Sequence, residues 1–210
     1  ECAKKFKVKH FIYASTSSVY GDNNILPSKE TFNTDKPLSF YAATKKCNEV
    51  IAYSYSNIFD LPTTGLRFFT VYGPYGRPDM SLFKFTKNIL ENKKIELYNK
   101  GKHVRDFTYI DDICESINKI ITKIPKGKIK YRLLNIGSNK PQNLKKFISI
   151  IEKNLNKNVK VKNLPLQKGD IEKTNASNEK LFRLINYLPK TKIEDGIKSF
   201  IAWYKEYYKR

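Results

Sequence analysis

The chain has 210 residues, 40 Lys and Arg against 20 Asp and Glu, a formal charge of +20, and 40% hydrophobic and 13% aromatic content. That apolar mass suffices for one domain with a real core, or one and a half, and it excludes intrinsic disorder. No apolar run has membrane-spanning length. Cys2, Cys47 and Cys114 lack Cys-x-x-Cys spacing and read as reduced thiols of a cytoplasmic protein.

The basic excess is mostly Lys and is spread over nearly every segment. It reads as solvated surface rather than a nucleic-acid groove, although a positive field also suits an anionic small ligand. The only histidines, His10 and His103, are isolated, which argues against a metal site and against a His-based catalytic triad.

Val8 to Ala14 is apolar and β-branched and predicts a buried parallel strand. Asp22 to Pro37 is polar and turn-rich, a loop. Phe40 to Phe59 predicts a long helix, and Thr63 to Phe69 a second buried strand entered through Leu61-Pro62. Residues 73–78 form a rigid Gly/Pro turn. A helix over Leu82 to Glu91 and a short strand over Ile95 to Tyr98 follow. Phe107 to Ile110 is extended and leads into a helix from Asp111 to about Lys123, its acidic start suiting the helix dipole. Tyr131 to Ile136 predicts a strand, Leu144 to Leu155 a helix and Val159 to Val161 a short strand. Two helices close the chain, near Asn178 to Ile185 and Ile193 to Tyr207. Trp203 and Tyr207, four apart, read as core packing. Strands alternating with helices predict an α/β fold with a mostly parallel sheet. No Gly-x-Gly-x-x-Gly run occurs, although a doubly wound dinucleotide fold carries one after its first strand.

Two stretches carry chemistry. Thr16-Ser17-Ser18 sets a row of hydroxyls at a strand end, and Tyr41-x-x-x-Lys45 sets a phenol and an ammonium one helical turn apart on one face. Together they describe a proton-transfer site built around a nicotinamide, in which the cation favours the phenolate. Thr16 can hydrogen-bond the same substrate oxygen.

With Leu66-Arg67-Phe68-Phe69, Val71-Tyr72-Gly73-Pro74, Arg105-Asp106-Phe107-Thr108-Tyr109-Ile110-Asp111-Asp112, Asn135-Ile136-Gly137 and Gly169-Asp170 in order, the chain resembles the extended short-chain dehydrogenase/reductases, the NAD-dependent nucleotide-sugar epimerases and dehydratases. The stretch Leu66 to Met80 is most similar to that of the UDP-glucuronate 4-epimerases, apart from Thr70, where most relatives have Asn. The resemblance implies the C-terminal part of a doubly wound, Rossmann-type parallel sheet plus a smaller α/β substrate-binding domain. It implies that residues 1–72 complete the NAD domain and that 73–210 mainly bind the nucleotide sugar, with about 106–136 returning to the sheet. It also implies that Glu1 to Lys5 is the second half of a helix and that the glycine-rich half lies upstream; a natural truncation is the alternative. The full-length protein is expected to pair as a homodimer through the helix carrying Tyr41 and Lys45.

For the site, the resemblance implies that Tyr41, Lys45 and Thr16 are catalytic, with Tyr41 and Lys45 also at the cofactor. Ser17, Ser18, Thr70 and Arg77 fall where a substrate carboxylate is clamped; for Ser17 and Ser18, strand-end capping is the alternative. The related decarboxylases carry Glu at the position of Ser18 and the 4,6-dehydratases Asp-Glu at Ser17-Ser18, so the serines favour epimerisation. Arg105 resembles the diphosphate-binding arginine, the alternative being a salt bridge to Asp106 or Asp112. Gln167 and Asp170 resemble the ribose and uridine contacts. Tyr98 and Lys84 are candidates for the base and phosphates, or else packing and surface charge. Arg67 receives no role. The expected reaction is 4-epimerisation of UDP-glucuronate through a 4-keto sugar. The alternatives are a 4-epimerase of another UDP-sugar, such as UDP-glucose, and a non-catalytic polyanion-binding relative.

Overall fold

The computed structural model of the chain describes residues 1–23 and 25–209. Helix α1 (Cys2–Lys5) leads into strand β1 (Phe11–Thr16), which ends in a 3-10 turn over Ser17–Tyr20. Helix α2 (Phe40–Phe59) and strand β2 (Thr63–Phe68) follow, then the three-residue strand β3 (Thr70–Tyr72). Next come α3 (Ser81–Leu90), β4 (Lys94–Tyr98), β5 (Val104–Arg105), β6 (Phe107–Tyr109) and α4 (Ile110–Ile121). The chain continues through β7 (Tyr131–Ile136), β8 (Gln142–Asn143), α5 (Leu144–Leu155) and β9 (Lys160–Leu164). Helices α6 (Glu179–Ile185) and α7 (Ile193–Tyr207) end it.

The central sheet is parallel, in the order β1-β2-β7, with Phe11 opposite Thr63 and Thr63 opposite Tyr131. Parallel neighbours need a crossover, and α2 supplies the one between β1 and β2. Residues Thr63 to Arg67 of β2 are all buried, as suits a central strand covered on both faces. The other pairs are β3-β6 and β4-β9, both parallel, and the short antiparallel pair β5-β8. This is an α/β fold of mostly parallel sheets.

Several boundaries differ from the sequence expectation. The first strand runs Phe11–Thr16 rather than Val8 to Ala14, because Lys7 takes a left-handed φ of 46° and pairing with β2 persists until Thr16 meets Phe68. The strand expected over Thr63 to Phe69 ends at Phe68, and a separate strand, β3, begins at Thr70. Phe69 N–H still donates to Ile136 O at 3.1 Å, but Thr70 N–H turns to Asp106 O at 3.0 Å, so the chain changes partners between these residues. The strand expected over Val159 to Val161 runs Lys160–Leu164, held by pairing with β4. Strands β5 and β8, two residues each, have no periodicity to announce them.

Two apolar clusters hold the layers. One gathers Tyr72, Phe83, Phe107, Phe147, Ile197 and Phe200, with Phe107 and Phe147 stacked at 4.2 Å. The other joins Leu66 and Ile136 of the central sheet to Ile113 of α4 and Leu181 of α6. Trp203 packs against the first cluster, but Tyr207 lies on the surface, 62% exposed; their 5.5 Å ring contact is at the rim rather than in the core. Among the described residues, no helix is long and apolar enough to cross a membrane.

Candidate active site

Helix α2 begins one residue before Tyr41 because Ser39 caps it, its Oγ accepting from Ala42 N–H at 3.1 Å. This puts Tyr41 in the first turn and Lys45 one turn on. The Lys45 ammonium donates to Ala14 O at 3.2 Å and stands 5.9 Å from the Tyr41 ring centre. Tyr41 is half exposed, on a cavity of about 650 Å³ also lined by Thr16, Ser17, Ser18, Lys45, Thr70 and Arg77. All of the expected reaction and carboxylate residues therefore meet around one space. The capping at the strand end belongs to Thr16, whose Oγ1 accepts from Ser18 N–H at 3.2 Å; Ser17 and Ser18 line the cavity. Gly73, with φ +144° and Ile110 Cγ2 only 2.5 Å from where a Cβ would sit, directs the chain from β3 into the loop carrying Arg77. The Arg77 guanidinium already holds Asp79 in a two-pronged bond, on an exposed surface.

Behind this cavity lies a polar network that gives Arg67 a structural role. Arg67 and Glu49 are buried and form a bidentate pair, Nε to Oε1 at 2.8 Å and Nη2 to Oε2 at 2.7 Å. Ser15 Oγ donates to the same Glu49 Oε1 at 2.6 Å, and the Tyr20 ring lies 4.8 Å from the guanidinium. Burial opposes the charge on Arg67, but Glu49 and the neighbouring Tyr20 together outweigh it and hold the guanidinium above the ordinary arginine value. Glu49 sits one turn beyond Lys45 on α2, Ser15 on β1 and Arg67 on β2. The pair thus ties the Tyr41 helix to both strands beneath the hydroxyl row.

A second cavity, of about 700 Å³, meets the first at Thr70, Met80, Ser81 and Phe107. Lys84, Tyr98, Arg105, Gln167 and Asp170 line it. Arg105 bonds neither Asp106 nor Asp112. Its Nη2 donates to Asp170 Oδ1 at 2.8 Å and its Nη1 to Glu172 O at 2.9 Å. Asp106 instead accepts from the N–H groups of Ser138, Asn139 and Ala176, and Asp112 from the Tyr187 hydroxyl and the Thr191 N–H. Gly169, with φ +82°, makes the turn that presents Asp170, and a Cβ there would stand 3.0 Å from Leu38 O. One residue escaped the sequence reading. His103 is buried at the wall of this cavity, with Nε2 3.0 Å from Asp170 Oδ2. A lone histidine carries no pattern that would have marked it.

The parallel sheet, the hydroxyl row at its strand end and the Tyr-Lys helix turn define a class, and the chain belongs to the NAD dependent epimerase/dehydratase family, whose model matches residues 1–137. It is 48% identical to Protein CapI of Staphylococcus aureus, covering 100% of this chain and 67% of that protein. It is 40% identical to a probable UDP-glucuronate 4-epimerase of Rhizobium meliloti, over 100% of this chain and 66% of that one. The crystal structure of UDP-glucuronic acid 4-epimerase from Bacillus cereus, in complex with UDP-glucuronic acid and NAD, matches with a TM-score of 0.90 and 33% identity, over 98% of this chain and 64% of that one. The chain thus spans about two thirds of the length of these relatives.

The residues present fit one end of a dinucleotide. A phenol, an ammonium fixed on a strand carbonyl and the half-buried Phe68 line the open cavity, and the Lys45 ammonium has donors to spare for ribose hydroxyls.

Proposed function

We propose that this chain forms the catalytic and sugar-binding part of an NAD-dependent enzyme that interconverts UDP-glucuronate and UDP-galacturonate. The observation that carries the reading is the meeting of Tyr41, Lys45, the hydroxyls of Thr16, Ser17, Ser18 and Thr70, and Arg77 around one cavity without a carboxylate at position 17 or 18. The relatives named above support it.

Tyr41 takes the proton from the sugar C4 hydroxyl and later returns it. The chemistry supplied by bound NAD is the reversible acceptance of a hydride from C4, so the net reaction is an isomerisation. Lys45 holds Tyr41 and the cofactor ribose in register. Thr16 fixes the C4 oxygen through its hydroxyl, which already bridges to Ser18. The 4-keto sugar derived from a glucuronate is a β-keto acid, which loses CO2 when its carboxylate stands perpendicular to the ketone. Ser17, Ser18, Thr70 and Arg77 hold the carboxylate out of that geometry, with Arg77 exchanging Asp79 for the substrate anion. No side chain at positions 17 and 18 can deliver the acid needed to eliminate water. The second cavity takes the nucleotide: Arg105 and Lys84 for the diphosphate, Gln167 and Asp170 for the ribose and uracil, Tyr98 against the base.

One observation favours a second reading, a 4-epimerase of a neutral UDP-sugar: Arg77 carries its own counter-ion, Asp79. The gene product in its full native context, given catalytic NAD+ and either UDP-glucuronate or UDP-glucose, separates the two by NMR of the products. Turnover of UDP-glucuronate to UDP-galacturonate is expected; turnover of UDP-glucose alone overturns the carboxylate clamp. The partner in this reading is a second copy of the protein, paired along α2, where Phe40, Val50, Ile51 and Ile58 are exposed. The compartment is the cytoplasm, in keeping with three free cysteines.

A further inference from the structure

His103 is a buried, titratable group that the reaction described above leaves unused. It is 4% exposed and stands two residues before Arg105, its backbone carbonyl accepting from Leu144 N–H at 2.9 Å. The backbone at His103 is therefore tied to the start of α5. Its Nε2 lies 3.0 Å from Asp170 Oδ2, yet the approach completes no hydrogen bond. Asp170 is thus bracketed, with Oδ1 on Arg105 and Oδ2 facing a histidine nitrogen closed off from water.

The neighbouring charges decide the protonation state of that nitrogen. Arg105, Asp170 and Glu172 act on the ring directly, and Lys84, Lys94, Asp79 and Glu96 line the same cavity. Burial, and then the Arg105 charge, hold the imidazole below the ordinary histidine range against the pull of Asp170 and Glu172. A diphosphate entering this cavity adds negative charge and reverses the balance.

We propose that His103 is a further nucleotide-recognition residue: a UDP-sugar binds together with one proton from solvent, carried on His103 Nε2, which then pairs with Asp170 and frees Arg105 to turn toward the diphosphate. This rests on the reading of the second cavity as the nucleotide site. Because binding and protonation are linked, each favours the other by the same factor.

The test is calorimetric titration of UDP-glucose into the full native protein carrying Tyr41→Phe, which prevents turnover. The diphosphate of that ligand is a diester with no group that titrates in the histidine range. Measured in buffers of different ionisation enthalpy, binding takes up close to one proton, and Kd falls by up to about tenfold for each unit that the pH is lowered between the bound and free midpoints. His103→Gln abolishes both effects. Should that variant not fold, the ring resonances of His103, distinguished from those of His10 by a His10→Gln variant, carry the test, with a midpoint that rises when UDP-glucose is added. Binding without proton uptake, or an unmoved midpoint, overturns the inference alone. No binding of UDP-glucose or of UDP-glucuronate at any pH overturns the nucleotide reading and the inference with it.

Discussion

The two ends of the cleft are built on opposite electrostatic plans. At the Tyr41 end the side chains proposed to react are open to the cavity, and the charges that hold their scaffold, Glu49 and Arg67, are buried behind it and fully paired. At the other end Arg105 holds Asp170, His103 Nε2 stands 3.0 Å from the same carboxylate, and all three line the cavity. A fixed pair beneath exposed groups gives geometry that does not move during proton transfer. Charges that share a carboxylate can exchange partners when an anion arrives. The first arrangement suits chemistry and the second suits binding.

Tyr41→Phe tests the reacting end most severely. It removes the proton carrier while keeping the ring, and kcat should fall by about 10²–10⁴-fold with nucleotide binding retained. A smaller loss would move the base elsewhere. Next in size is the buried pair. Glu49→Ala leaves the buried Arg67 charge without its counter-ion and should cost about 3–5 kcal/mol in denaturant unfolding. A double replacement by Met and Leu should recover much of that stability, and if it does not, the pair is more than a packing tie.

These two predictions also mark what sequence could reveal. Tyr41 and Lys45 were legible because their spacing matches one helical turn, and Thr16 to Ser18 because they follow an apolar β-branched run. Arg67 was not, since its partner Glu49 lies on another element and the pairing exists only once α2 packs on β2. The break between Phe69 and Thr70 was hidden for the same reason: a change of hydrogen-bonding partner leaves no mark on local composition. At the nucleotide end, the contact between Arg105 and Asp170 joins residues 65 positions apart, and His103 is visible only when both are in place.

Asp170→Asn should weaken UDP-glucose binding by about 10–100-fold, the range expected when a partly buried charged hydrogen bond loses its charge. An unchanged Kd would mean that the second cavity is not the nucleotide site. The smallest effect is on stability against pH. In the folded state His10 and His103 both resist protonation, chiefly through burial. The unfolded chain then binds more protons below the ordinary histidine value of about 6.5, so stability is full above it and declines as pH falls through the depressed folded values. Denaturation midpoints near neutrality and in mild acid should show this slope, and His103→Gln should flatten it.

The central claim is that Tyr41 and the carboxylate clamp act on one sugar ring, so that oxidation at C4 does not release the carboxylate. UDP-glucuronate labelled with 13C at the carboxyl carbon, turned over by the full native protein with catalytic NAD+, tests this directly. The account predicts labelled UDP-galacturonate at unchanged mass and no 13CO2 above background. Release of 13CO2 in step with substrate loss would contradict it.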